Sequence, residues 1–148
     1  MSLTAKLMLL CLLTMCMLLG VLVLAVARGE RRSLALRLWG WGLVTYAFGM
    51  LTVISVVFLP QPFTQVMGNS LISLSALLTS HGVFMHVPKR PSPKLTGGGL
   101  ALIVGILLLN HLFGGRLAID IAAPTLYATV LYIAVSWQLF RHPPAAAR

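Results

Sequence analysis

Long apolar runs alternate along this chain with short breaks of proline, glycine or charge. A helix needs about 20 predominantly apolar residues to cross a bilayer. Five runs approach or exceed that length, from about Leu7 to Ala27, Leu34 to Leu59, Val66 to Val87, Thr96 to Phe113 and Ala123 to Phe140. Pro60 and Pro62 divide the second run from the third, and Pro88, Pro91 and Pro93 divide the third from the fourth. Gly114, Gly115 and Pro124 bracket the last connection. These residues act as turn punctuation, because glycine frees the backbone and proline withholds an amide hydrogen. The expected fold is an all-α membrane protein, a single transmembrane domain built as a five-helix bundle.

The first run has some marks of a secretory leader: Lys6, an apolar stretch, then Ala25-Val26-Ala27. Its apolar stretch is longer than a leader needs, and Arg28, Arg31 and Arg32 follow at once. Both features fit a retained helix with a stop-transfer flank.

Composition narrows the class further. Hydrophobic residues make up 59% of the 148 positions and charged residues 9%, with a mean hydropathy of +0.97. A water-facing domain carries about 25% charged residues, so lipid is the expected solvent. The net charge of +9 does not indicate nucleic acid. Its basic residues sit in breaks between apolar runs, where topology signals belong, rather than along one helix face among aromatics. Arg28, Arg31, Arg32, Lys89, Arg90, Lys94, Arg141 and Arg148 all fall on one side if five helices alternate; only Lys6 and Arg116 fall on the other. The positive-inside rule then puts the N-terminus outside and the C-terminus in the cytoplasm.

Candidate functional residues concentrate in the third run. Asn69, Ser73, Ala76 and Ser80 recur at spacings of four, three and four, which makes one stripe of small and polar side chains. Such a stripe faces protein, as packing glue or as the lining of a ligand cavity. Gly42, Tyr46, Gly49 and Val53 share a face of the second run, with the tyrosine hydroxyl seeking a partner on a neighbouring helix. Gly97, Ala101 and Gly105 make a small-xxx-small face on the fourth, for packing or for a dimer seam. His81 is an ionisable group within a span, hence a functional candidate.

No cofactor or metal is expected. His81 and His111 lie at different depths, and His86 and His142 at the cytoplasmic edge have no ligand spacing. Cys11 and Cys16, five apart, share no helix face. The two acids are Glu30, among arginines, and Asp120, expected in an outer loop four residues after Arg116. An acid inside the membrane would be the mark of a proton-driven pump, and neither is expected there. No catalytic constellation is visible, so enzymatic activity is not expected of this chain.

The residue pattern from Arg28 to Arg141 carries a resemblance. A basic loop leads into Leu36-Arg37-Leu38-Trp39, then Gly42 and Gly49. After a proline-containing loop come Gly68-Asn69 and, fourteen residues on, Gly82. This resembles the N-terminal multi-helix membrane sensor region of bacterial GGDEF proteins, the diguanylate cyclases. The resemblance implies an input module in the bacterial inner membrane. Its last helix would feed a cytoplasmic domain, in cis or on a partner, that condenses two GTP molecules into cyclic di-GMP. It also implies a homodimer, because two catalytic domains must meet. The chain departs from that pattern at His81, Phe84 and Met85, and its 148 residues hold no GGDEF segment, so the resemblance implies either a piece of a longer receptor or a stand-alone relative whose output lies on a partner.

The function expected from these readings is a sensory module that relays a membrane or periplasmic cue to a cytoplasmic output. A small oligomeric transporter or channel subunit is the alternative, as is a structural subunit of a membrane complex.

Overall fold

The computed structural model describes residues 3–29, 34–55, 60–85 and 92–141. Among them are five helices and no strand: α1 (Leu3–Gly29), α2 (Leu34–Ile54), α3 (Gln61–Phe84), α4 (Pro93–Leu112) and α5 (Leu117–Arg141). Three are long and apolar enough to cross a membrane, namely α1 over Leu10–Arg28, α2 and α5. The exposed side chains of α1 alone include Met8, Leu10, Met15, Leu18, Leu19 and Leu22. That apolar surface has no water-compatible explanation, and the chain is a membrane protein.

α4 contributes a shorter apolar helix, Thr96–Leu112. α3 does not reach the hydropathy of a span because Thr64, Gln65, Asn69, Ser70, Ser73, Ser75, Thr79, Ser80 and His81 interrupt it. Its position explains why these polar groups are tolerated. α3 packs against α2, α4 and α5, whereas α1 touches α2 alone among the described residues. The helices therefore form a row, α1 to α2 to α3, that ends in a triangle of α3, α4 and α5. α2 and α5 both lean on α3 without packing on each other, which leaves a lateral cleft above α3.

The α2–α3 contact is the most extensive, and glycines make it. A methyl group on Gly49 would stand 2.9 Å from the Gly68 carbonyl oxygen, and one on Gly68 would stand 2.9 Å from that of Gly49. The two backbones thus touch, which lets dispersion contacts form along the whole seam. Nearer the basic end, Trp39 covers Gly82 and donates its indole N–H to the Thr79 carbonyl at 3.1 Å.

Several boundaries differ from the sequence expectation. α3 begins at Gln61 rather than near Val66, with Pro60 as its N-cap residue and Pro62 in the first turn. Proline is tolerated there because the first amides of a helix have no intrahelical partner. α5 begins at Leu117, so Pro124 lies inside the helix instead of ending a loop. The residues at 56–59, Glu30, His86, His142, Arg31, Arg32, Lys89, Arg90 and Arg148 lie outside the described set.

Candidate functional site

The polar stripe of α3 faces inward. Ser73, Ala76 and Ser80 are buried and Asn69 half-buried. Ser73 donates its hydroxyl to the Asn69 carbonyl at 2.9 Å, a satisfied bond within its own helix. Thr79 donates to the Ser75 carbonyl at 2.9 Å and, more loosely, to that of Ala76 at 3.2 Å. Ser80 is the exception: it is 1% exposed and its hydroxyl oxygen has no hydrogen-bond partner.

Ser80 lies in the cleft between α2 and α5. A cavity of about 180 Å³ there is lined by Trp39 and Leu43 of α2, Thr79, Ser80 and Val83 of α3, and Tyr132 and Val135 of α5. Tyr46 of α2 is half-buried and is not among the residues that line this cavity. The cleft therefore gathers Trp39 and Ser80 from the sequence candidates, and not Tyr46. It does not gather His81.

His81 turns to the other side of α3. Its Nδ1 lies 3.2 Å from the Leu77 carbonyl oxygen, and a carbonyl can only accept, so Nδ1 carries the hydrogen. Its Nε2 lies 3.5 Å from the Thr96 hydroxyl of α4. Tyr127 of α5 donates its hydroxyl to the Thr96 carbonyl at 2.9 Å. This tyrosine also lies where a methyl on Gly99 would sit, 2.9 Å from its ring. His81, Thr96 and Tyr127 thereby tie α3, α4 and α5 together with polar contacts in an otherwise apolar triangle.

The motif residues Trp39, Gly42, Gly49, Gly68 and Gly82 all lie at the α2–α3 seam. A methyl on Gly42 would meet the Thr79 methyl at 2.6 Å. Helix packing accounts for each of them, and Arg37 projects as an exposed residue of α2. The Gly97–Ala101–Gly105 face is different. A methyl at Gly97 or Gly105 would meet nothing within 4 Å, so the expected packing face has no partner within the described chain.

Asp120 overturns its expected place in an outer loop beside Arg116. It lies in the first turn of α5 and is 2% exposed. Asn110 of α4 donates its Nδ2–H to Asp120 Oδ1 at 2.9 Å and to the Arg116 carbonyl at 3.1 Å. Its own Oδ1 accepts the Arg116 amide at 3.0 Å. The second carboxylate oxygen faces His111 Nε2 at 3.5 Å. The turn that permits this uses positive φ at Gly114 (101°) and Gly115 (57°), a conformation that glycine adopts without strain. The partner of Asp120 is therefore the α4 terminus, and Arg116 supplies only main-chain atoms.

Sequence reasoning also passed over the outer face of α5. Ala118, Ala122, Thr125, Thr129, Tyr132 and Ser136 are all exposed, at spacings of four, three, four, three and four. Shallow grooves run beside them, one lined by Ala118, Ala122, Thr125 and Thr129, the other by Thr129, Tyr132 and Ser136. The signal was present as a 3.5-residue period of small and hydroxyl side chains. Among the described residues no three histidines, cysteines or carboxylates converge as a metal site. No protein-family profile, curated protein or solved structure matches this chain.

Proposed function

We propose that this chain is a five-span membrane input module, with its N-terminus outside and its C-terminus in the cytoplasm. It relays a membrane or extracytoplasmic cue through α5 to a cytoplasmic output, in cis or on a partner, and it works as a homodimer. A bacterial inner membrane and a diguanylate cyclase output are the setting that the sequence resemblance supports.

One observation carries the reading: the free face of α5 bears a seam of small and hydroxyl residues with a period of 3.5. In lipid, hydroxyls on a free face gain by pairing across helices, and small residues let the backbones approach. A parallel pair about a twofold axis would set each of these positions against its own copy. Such a pair leads straight to Arg141, whose guanidinium lies 4.5 Å over the Trp137 ring. Tryptophan and arginine at a helix end suit the membrane boundary. A helix the length of α3, 24 residues, extends about 36 Å and α4, with 20, about 30 Å. Both match the hydrocarbon core, and the neighbours of α3 shield its polar residues.

The test is a phase experiment. A dimerisation-dependent reporter enzyme is fused after Arg141, with one to seven alanines inserted at the junction. The reading expects output to rise and fall with the inserted length and to recover near seven. Output that does not depend on inserted length would contradict it.

A further inference from the structure

We infer that the basic end of the bundle binds anionic phospholipid, with Arg28, Arg37, Lys94 and Arg141 holding headgroup phosphates and Trp41 and Trp137 seated beside them at the membrane boundary. This goes beyond the relay reading and draws on it only to assign that end to the cytoplasmic leaflet.

Contacts between helices fix a common level near this end. A methyl on Gly40 of α2 would meet the Leu24 side chain of α1, and Trp39 covers Gly82 of α3. His81 of α3 faces Thr96 of α4 at 3.5 Å, and Val83 of α3 shares a cavity wall with Val135 of α5. Leu24, Gly40, Gly82, Thr96 and Val135 therefore lie at similar depth. From that level Arg28 stands four residues further along α1, Arg37 three back along α2, Lys94 two back along α4 and Arg141 six further along α5. The helices alternate in direction, so all four steps lead the same way. At 1.5 Å per residue the cations lie about 3–9 Å beyond the common level. That spread of about 6 Å fits one headgroup layer.

All four side chains are exposed, and none makes an ion pair among the described residues. The one described carboxylate, Asp120, is buried at the opposite end against Asn110. Charges of one sign gathered at one end call for an anion from outside the chain. The aromatic residues say which anion. All three tryptophans, Trp39, Trp41 and Trp137, lie at this end and are exposed, the placement that tryptophan takes at a membrane boundary. Trp39 gives its indole N–H to the Thr79 carbonyl, whereas those of Trp41 and Trp137 have no acceptor among the described residues. Arg141 stacks 4.5 Å over the Trp137 ring, which leaves the edge of its guanidinium fork open to a phosphate. An acidic polypeptide would need these cations on one continuous face. They ring four helix ends instead, interleaved with indoles at lipid depth, as a headgroup layer requires.

The experiment reconstitutes the full chain in phosphatidylcholine vesicles that contain a rising fraction of acyl-brominated phosphatidylglycerol, with acyl-brominated phosphatidylcholine as the reference. Bromine quenches tryptophan at contact range. Every tryptophan lies at this end, so quenching reads the lipid there, whichever way the chain inserts. The expected result is a relative affinity for the anionic lipid of about fivefold or more at low ionic strength, the worth of at least one basic residue at the surface, falling as salt screens it. Replacing Arg28, Arg37, Lys94 and Arg141 together by glutamine should lower the preference about fivefold or more. Arg28→Lys, Arg37→Lys and Arg141→Lys together should keep it, as should Arg116→Gln at the opposite end. Equal quenching by the two lipids, the result expected if these cations serve an acidic polypeptide, would overturn the inference. So would a preference that survives the four glutamine substitutions, or one in the wild type that high salt does not move. None of these outcomes bears on whether α5 relays a signal, which the alanine-insertion series reads separately.

Discussion

The Gly49–Gly68 contact yields a prediction whose size follows from the geometry. Gly68→Ala places a methyl 2.9 Å from the Gly49 carbonyl oxygen, and ordinary contact begins near 3.4 Å. The Val53 side chain stands nearer still, but the Gly49 oxygen and the Val53 nitrogen at 3.1 Å are backbone, so a rotamer change at Val53 alone does not relieve the clash. α2 and α3 must part by about half an ångström, which loosens close-packed contacts along the seam. Overpacking of this kind costs about 1–3 kcal/mol, and a backbone obstruction puts Gly68→Ala at about 2 kcal/mol. Gly49→Ala meets the reciprocal contact and should cost a similar amount. The double variant is more informative than either single one. Once one methyl has spread the helices, the second fits the widened gap, so the two losses should fall short of their sum by about 1 kcal/mol or more. The assay is reversible unfolding by SDS in mixed micelles, followed by tryptophan emission; Trp39 sits on this same seam. A neutral Gly68→Ala, or strictly additive losses, would refute the close approach.

Other consequences follow from the same contacts. Gly105→Ala introduces a methyl into open space and should stay within about 0.5 kcal/mol of the wild type in the same assay. Trp39→Phe removes the 3.1 Å bond to the Thr79 carbonyl and should cost about 0.5–1.5 kcal/mol. Asp120→Ala strips Asn110 of one acceptor and leaves His111 Nε2 without its facing oxygen. It should cost about 1–3 kcal/mol and speed amide exchange at 110–120, with little change at the α1–α2 contact. Asn69→Leu should alter the output of the reporter fusion while membrane insertion persists; unchanged output would remove Asn69 from the relay.

Much of the architecture could be read from hydropathy because lipid enforces a simple rule. Backbone polar groups must pair within the segment, so a long apolar run becomes a helix. The inward stripe of Ser73, Ala76 and Ser80 was legible for the same reason. Where the reading failed, a tertiary contact had outweighed a local signal. Pro124 looked like the end of a loop, yet the buried Asn110–Asp120 bond sets the start of α5 seven residues earlier, at Leu117. Asp120 looked like a surface partner of Arg116 because spacing along the chain says nothing of a neighbouring helix terminus. The Gly97–Ala101–Gly105 spacing was real, but spacing alone does not say which helix lies opposite, and among the described residues a methyl at Gly97 or Gly105 would meet none. Ser80 could be picked out as a candidate. Its orphan state could not, since that depends on which carbonyls Thr79 and His81 occupy.

The account depends most on α5 as the element through which two copies meet. Single cysteines placed in turn from position 118 to 136, in a Cys11→Ala, Cys16→Ala background, test it directly by disulfide formation in native membranes. The account predicts cross-linking at 118, 122, 125, 129, 132 and 136, with troughs at 119, 126, 130, 133 and 137. Cross-linking absent along α5, or spread without that period, would contradict it.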